Sequence, residues 1–188
     1  MAVSSFDVLV IGSGAAGLRA AISAREAGLR VCVLSKGPVG KSTCSWISAG
    51  VMAGSSDETT LDAHLKRTLQ AGRGLNRLDL VQILVSEAPQ RLDELKRWGI
   101  NGEFRKGYLF AKGLPPVQGQ EIIRCLIERN HELGVELSGK VLVTDLVMGE
   151  GGGVVRTFNG SSGDWQREYT WWKLSTTDAS SRCPVTGG

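Results

Sequence analysis

The fold is decided by residues 6–17, which read Phe6-Asp7-Val8-Leu9-Val10-Ile11-Gly12-Ser13-Gly14-Ala15-Ala16-Gly17. The apolar run before Gly12 predicts a strand buried on both faces, as in a parallel sheet. The Ala-rich residues 18–27 predict a helix that Gly28 ends, and residues 30–34 predict a second strand. Strand, glycine-rich turn, helix and strand within about thirty residues form the βαβ element of a dinucleotide-binding fold.

Each glycine of this turn has a separate task. Gly12 would turn the chain from strand to helix, Gly14 would let the backbone approach a pyrophosphate, and Gly17 would let helix and strand pack closely. The free N–H groups and the positive dipole end of the helix favour phosphate at the same place. A glycine-rich turn that binds no ligand is the alternative, and the correct flanks on both sides favour a dinucleotide.

The end of the second predicted strand bears on which dinucleotide binds. An NAD site would have Asp or Glu here to bind the ribose hydroxyls. This chain has Ser35 and Lys36 instead. Ser35 therefore disfavours an NAD(P)-binding protein, although tight binding of NADH would support that hypothesis again.

The rest of the chain continues the α/β pattern. Residues 35–56 are rich in Gly, Ser and Thr and predict an extended, functional loop. Apolar residues at helical spacing predict helices over residues 60–71, 78–88, 90–98 and 120–133, with Pro89 interrupting the second and restarting the helix. A hairpin is predicted over residues 102–113 and an antiparallel meander over 141–170.

A combination of short segments carries a family resemblance. Val33-Leu34-Ser35-Lys36-Gly37-Pro38 precedes Ser42-Thr43 and the small residues Ser48-Ala49-Gly50. With later matches up to about residue 170, the chain resembles the flavoproteins of succinate dehydrogenase, fumarate reductase and L-aspartate oxidase. The resemblance implies an FAD cofactor and a Rossmann-like FAD-binding domain, with a parallel sheet and an appended antiparallel β-meander.

The resemblance also implies where the cofactor lies. The pyrophosphate would be held by residues of the glycine-rich turn, Gly12, Ser13, Gly14, Ala15, Ala16 and Gly17. The adenosine end would lie at Ser35 and Lys36, with the Val143 backbone near adenine. Residues near the phosphates and the isoalloxazine would be Ser42, Thr43, Ala49 and Gly50.

The chain departs from this family at the flavin linkage and the catalytic groups. Succinate dehydrogenases of the family attach FAD through a histidine in a Ser-His-Thr segment, whereas Thr43 and Cys44 follow Ser42 here. Noncovalent FAD is therefore expected. Neither His64 nor His131 is a convincing catalytic acid, because each lies in a predicted helix, so the catalytic residues stay unassigned.

The C-terminal segment departs further. Family members continue with an apolar strand and a capping domain that supplies substrate-binding groups, and residues from Trp171 onward do not provide that strand. We therefore expect a truncated or frameshifted chain. Residues 1–170 would be an incomplete FAD-binding domain with a helical insertion at about 57–99, and residues 171–188 a divergent, disordered tail.

Composition and residue spacing argue against several other functional classes. The chain has 188 residues, and 22 basic against 19 acidic residues are scattered, which does not indicate nucleic-acid binding. The four cysteines have no CxxC spacing, so no metal site is expected and reduced thiols suggest a cytoplasmic protein. No signal peptide or membrane span is recognisable in the sequence.

Two functional hypotheses follow. The first is an FAD-dependent oxidoreductase that transfers a hydride between flavin N5 and a small acid, with this chain as its FAD-binding part. An electron-transfer protein would be its partner. The second is a non-catalytic or defective flavin-binding fragment, for which little or no turnover of fumarate is expected.

Overall fold

The structure is a computed structural model that describes residues 3–56, 60–149, 152–161 and 164–174. The helices in these ranges are α1 (Ala15–Glu26), α2 (Leu61–Ala71), α3 (Leu78–Arg97) and α4 (Gly119–Glu132). The strands are β1 (Val3–Phe6), β2 (Val8–Ile11), β3 (Val31–Ser35), β4 (Val51–Ala53), β5 (Gly102–Arg105), β6 (Tyr108–Ala111), β7 (Glu136–Gly139), β8 (Val141–Gly149), β9 (Gly152–Ser161) and β10 (Asp164–Leu174). The chain divides into two compact units, one within residues 1–43 and 126–188 and the other within 44–125.

A parallel sheet forms the centre of the first unit, in the order β2-β3-β7. Every residue of β3 is buried, and its side chains alternate between two apolar clusters. On one face Val31 and Val33 pack with Ala21 of α1. On the other face Cys32 and Leu34 pack with Phe6 and Val141. A strand covered on both faces explains why residues 31–34 are continuously apolar.

The apolar run at residues 6–11 serves two sheets rather than one. Phe6 ends β1, and the chain passes into β2 through Asp7. The Asp7 carboxylate accepts a hydrogen bond of 2.7 Å from the Arg30 backbone N–H, while the Asp7 N–H donates to the Arg30 carbonyl at 2.9 Å. These bonds fix the chain where it leaves one sheet and enters the other.

The predicted antiparallel meander is confirmed. Strand β9 pairs antiparallel with both β8 and β10. Strand β1 pairs in parallel with the other edge of β10, with Val3 opposite Trp171 and Phe6 opposite Leu174. Strand β10 therefore continues four residues past the predicted domain end at residue 170, because pairing with β1 supports residues that carry no strand periodicity. The tail predicted to be disordered lies, from residue 175 onward, outside the described residues.

The second unit contains α2, α3 and a small sheet in the order β4-β6-β5. The predicted hairpin at 102–113 is confirmed as β5 and β6, and α2 begins as expected, with Thr60 Oγ1 accepting a bond from the Ala63 N–H at 3.2 Å. The loop predicted over residues 35–56 contains β4, which forms because β6 pairs with it. Within the predicted helical insertion, residues 57–59 lie outside the description.

The predicted break at Pro89 is wrong, since α3 runs through this residue without interruption. Proline lacks an N–H, and placing it inside a helix costs about 3 kcal/mol. Val81, Val85, Leu92 and Leu95 are buried on both sides of Pro89. Burying a large aliphatic side chain is worth about 1.5–3 kcal/mol, so packing on both sides outweighs the cost of the proline.

A buried carboxylate stabilises the first turn of α4. Both carboxylate oxygens of Glu121 accept bonds from the Arg124 guanidinium, at 2.6 and 2.9 Å, and Oε1 also accepts the Asn101 backbone N–H at 2.7 Å. The hydrogen bond from Arg124 is the main reason that the pKa of Glu121 is lowered. Glu121 thereby holds the segment after α3 against α4.

We expect Glu121→Gln to lower the free energy of unfolding by about 1–2 kcal/mol at pH 7, because the amide cannot accept both guanidinium bonds. Since the folded pKa of Glu121 lies below the usual 4.5, its contribution is complete above that pH and is lost as the pH falls through the folded value. The gap between wild type and variant should therefore shrink from pH 7 to pH 3 in urea unfolding. Glu128→Gln on the same helix is the control, and an unchanged gap at low pH would contradict this assignment.

Candidate functional site

The glycine-rich turn links the end of β2 to the start of α1. Gly12 has φ +107°, in the region that favours glycine, and its N–H donates to the Leu34 carbonyl at 2.8 Å. A Cβ placed on Gly17 would lie 2.1 Å from the Gly12 carbonyl oxygen. Helix and strand are therefore as close here as the sequence analysis predicts, and only glycine fits at residue 17.

The N-terminus of α1 lacks a side-chain cap among the described residues. Gly14 is its N-cap, with extended backbone and no side chain that could cap the helix, and the first turn has no acidic residue. Gly12 and Ala16 are exposed. The positive end of the helix dipole is thus accessible at a close backbone turn, an arrangement that fits the diphosphate of a dinucleotide.

Serine side chains connect this turn with the end of β3. Ser13 Oγ lies 2.7 Å from Ser35 Oγ, and it accepts a hydrogen bond of 2.8 Å from the Gly40 N–H. Both serines are buried, with 1% and 4% of their surface exposed. Lys36, the next residue after Ser35, is exposed. The structure therefore brings together the predicted phosphate and adenosine residues.

Three further predicted site residues lie in the same unit. Ser42 is exposed and has φ +58°, and Thr43 Oγ1 donates to the Gly40 carbonyl at 3.0 Å. Val143 pairs with Thr157 in the β8–β9 ladder and packs against the cluster that contains Leu34. Val143 thus lies beside β3, the strand that ends at Ser35.

Ala49 and Gly50 belong to the second unit. Ala49 is exposed, whereas Gly50 is buried with φ +69°. A Cβ on Gly50 would lie 2.7 Å from the Gln118 carbonyl carbon, and the Gly50 carbonyl accepts a bond from the Ala111 N–H at 2.9 Å. This segment is held closely against the residues before α4.

A comparison with protein families matches residues 7–168 to the FAD binding domain. The match includes the glycine turn, the parallel sheet and most of the meander. The chain belongs to this FAD-binding family. Its cofactor is accordingly FAD, and the resemblance inferred from the sequence is confirmed, as is the Rossmann-like α/β fold with its added antiparallel sheet.

Relatives of this FAD-binding chain are much longer. An L-aspartate oxidase of Streptomyces coelicolor is 35% identical over 75% of this chain and 27% of its own length. One chain of the fumarate reductase (CoM/CoB) of Methanothermobacter marburgensis is 33% identical over 77% of this chain and 29% of its own length. The solved Mycobacterium smegmatis Sdh1 complex in its apo form is similar with a TM-score of 0.72 and 27% identity, over 93% of this chain and 34% of that one. The chain spans less than a third of the length of these two curated relatives.

His64 in the second unit is a buried residue of α2, the helix in which the sequence predicts it. It is 4% exposed, and its Nδ1 has no hydrogen-bond partner among the described residues. Burial, and then the charge of Arg67, lowers the pKa of His64. An open groove of about 550 Å³ lies beside it, lined also by Met52, Leu84 and Arg91. Its lining comes from separate elements, so sequence periodicity alone gave no signal for this groove.

Asn130 of α4 is another residue that sequence reasoning missed. It is wholly buried, and its Nδ2 donates to the carbonyls of Leu18 at 3.1 Å and Leu126 at 2.8 Å. The bond to Leu18 ties α4 to α1, the helix that begins at the glycine turn. The available signal was an amide at helical spacing among Ile123, Leu126 and Ile127.

Neither a metal cluster nor a membrane-spanning helix is found in the part of the chain that the structure describes. Within those ranges, no three His, Cys, Asp or Glu side chains are grouped to hold a metal ion. No helix there has both the length and the apolar character needed to cross a bilayer.

The described cysteines should differ sharply in reactivity. Burial raises the pKa of the Cys32 thiol to about 12, whereas Cys44 is exposed. Because the thiolate is the nucleophile, we expect iodoacetamide at pH 8 to alkylate Cys44 while leaving Cys32 unmodified in the folded protein. Peptide mass spectrometry measures both sites, with urea-unfolded protein as the control in which both should react. Equal rates in the folded protein would contradict the burial of β3.

Proposed function

We propose that this chain is the FAD-binding part of an FAD-dependent oxidoreductase that transfers a hydride between the flavin and a small acid. The observation that carries the proposal is the glycine turn before α1, where the N-cap Gly14 has no side chain and a Cβ on Gly17 would lie 2.1 Å from the Gly12 carbonyl oxygen. When bound, FAD would supply an N5 atom that accepts or gives the hydride. The names of the relatives support an acid substrate, since they include an aspartate oxidase and a fumarate reductase.

The residues of this chain would bind and orient the cofactor. The backbone of residues 12–17 would hold the pyrophosphate, with the α1 dipole stabilising its charge. Ser35 and Lys36 would lie at the adenosine end, and the Val143 backbone beside adenine. A third group would lie near the phosphates and the isoalloxazine: Ser42, Thr43, Ala49 and Gly50.

We further propose that FAD is bound noncovalently. Thr43 and Cys44 follow Ser42 where the flavin-linked members of the family have histidine. The protein purified with FAD should be yellow, and acid precipitation should release all of the flavin into the supernatant. Flavin that stays with the precipitate would contradict noncovalent binding. A colourless protein that does not quench added FAD fluorescence would contradict the proposed function itself.

Two candidate functions are separated by turnover. A flavin-binding fragment without activity is the second candidate. The assay is fumarate reduction by FAD-loaded protein with reduced methyl viologen as donor. Turnover would support the oxidoreductase, whereas bound FAD with no turnover would support the fragment.

The proposed enzyme would exchange electrons with a partner protein, by analogy with the similar Mycobacterium smegmatis Sdh1, which was solved as a complex. A cytoplasmic location is proposed as well. It is supported by the three described cysteines, Cys32, Cys44 and Cys125, which are free thiols. Fractionation of the cells that make the protein would test the location directly.

A further inference from the structure

A chain of hydrogen bonds joins β3, the glycine turn and the turn at residues 40–43. Ser35 Oγ lies 2.7 Å from Ser13 Oγ, the Gly40 N–H donates to Ser13 Oγ at 2.8 Å, and Thr43 Oγ1 donates to the Gly40 carbonyl at 3.0 Å. We call these four residues the serine clamp. Its centre, Ser13, has only 1% of its surface exposed.

The hydroxyl of Ser13 is used within the protein. A serine hydroxyl has one donor and two acceptor sites. The Gly40 N–H takes one acceptor site, and Ser35 takes either the donor or the second acceptor site. Ser13 is also buried, and its hydroxyl contacts protein groups. A direct contact with phosphate would instead require a hydroxyl that faces outward.

The segment that the clamp holds has an unusual backbone. Gly40 has φ +77° and Ser42 has φ +58°, so two of three successive residues lie in the left-handed region. For a residue with a Cβ, this conformation is strained and persists when neighbouring contacts hold it. Bonds to both the N–H and the carbonyl of Gly40 supply such contacts.

We propose that Ser13 and Ser35 are positioning residues, which act on the cofactor by fixing residues 40–43 rather than by touching it. The inference rests on the proposed function, because Ser42 and Thr43 are its proposed flavin-side contacts. It also gives Ser35 a task different from that of the acidic residue in NAD sites. Here the residue at the strand end would bind the phosphate turn, while the acidic residue would bind ribose.

A double-mutant cycle tests this assignment. Ser13→Ala leaves the buried Gly40 N–H without an acceptor, and we expect the Kd for FAD to rise about tenfold. Ser35→Ala removes one bond to Ser13 and should raise the Kd about threefold. In the Ser13→Ala background, Ser35→Ala should have no further effect, because the two residues act through the same bond. Ser35→Thr keeps a hydroxyl and should restore most of the affinity.

Additive losses in the cycle would overturn the proposal, because they would show that Ser35 contacts the cofactor directly. Ser86→Ala is the matched control, since it also removes one hydroxyl, but from an exposed residue of α3. It should leave the Kd for FAD unchanged.

Hydrogen exchange of the apoprotein gives a readout that does not depend on FAD. The Gly40 amide should exchange faster in Ser13→Ala than in wild type and should be unaffected in Ser86→Ala. Equal exchange in Ser13→Ala and wild type would overturn the clamp. Faster exchange in a protein whose wild type binds no FAD would instead overturn the proposed function, and with it the positioning role, while leaving the hydrogen bonds themselves established.

Discussion

Gly17→Ala is expected to weaken FAD binding by about 100-fold, which corresponds to about 2.7 kcal/mol. The added Cβ would lie 2.1 Å from the Gly12 carbonyl oxygen, a backbone atom that cannot turn away as a flexible side chain can. To relieve this clash, α1 would have to move away from β2. That movement would displace the helix N-terminus that is proposed to hold the pyrophosphate. Fluorescence titration of the apoprotein with FAD measures the loss.

The same substitution should lower the free energy of unfolding by about 1–3 kcal/mol, as overpacking does in other proteins. Helix propensity alone predicts the opposite sign, because alanine is favoured over glycine inside a helix by about 1 kcal/mol. Gly37→Ala is a suitable control, since a Cβ there meets nothing within 4 Å and the residue has no positive φ. Wild-type affinity in Gly17→Ala would contradict the position of the pyrophosphate at this turn.

Asn130→Asp is expected to cause the largest loss of stability, more than about 3 kcal/mol at pH 7. The buried amide donates to the Leu18 and Leu126 carbonyls, and a carboxylate would face two acceptors without a proton to share. Burial would raise the pKa of the introduced carboxyl above its ordinary value of about 3.9. Its protonated form can donate one bond, so the deficit relative to wild type should be full above the raised folded pKa and should shrink as the pH falls from there towards about 3.9.

Urea unfolding at pH 7 and pH 3.5 measures this deficit. Asn130→Ala removes the bonds without adding a charge and should cost about 2–3 kcal/mol with little dependence on pH. His131→Ala, at an exposed residue of the same helix, is the control for changes in α4 itself. A deficit in Asn130→Asp that stays constant with pH would show that the residue is hydrated rather than buried against α1.

The βαβ element and the glycine turn could be predicted from the sequence because local signals determine them. The positive φ of Gly28 and Gly99, where helices end, was likewise available from glycines after apolar periodicity. Three features were not predicted from the sequence, and they share one cause. They are the continuation of α3 through Pro89, the strand β4 inside the predicted loop, and the extension of β10 to Leu174. Each depends on a partner distant in the sequence whose packing or pairing outweighs the local preference.

The candidate site likewise has parts that the sequence predicts and parts that it does not. Its backbone parts, the Gly12 turn and the close packing of Gly17, follow from residue type. The bond between Ser13 and Ser35 does not, because it joins side chains 22 residues apart whose directions depend on the register of β2 and β3. Asn130 is a similar case, since an amide on an apolar helix face has no visible partner until α1 is in place.

The parallel pairing of β1 with β10 has a consequence for the order of folding. Val3 lies opposite Trp171, so the first and the last strands that the structure describes pair with each other. On the ribosome, β1 must wait until residues 164–174 have been synthesised, and pairing between such distant segments slows folding because a long loop must close. Meanwhile β2, joined to β1 through Asp7, can already pair with β3. The phosphate turn can thus form early in synthesis, whereas the pairing of β1 with β10 has to follow the synthesis of residue 174.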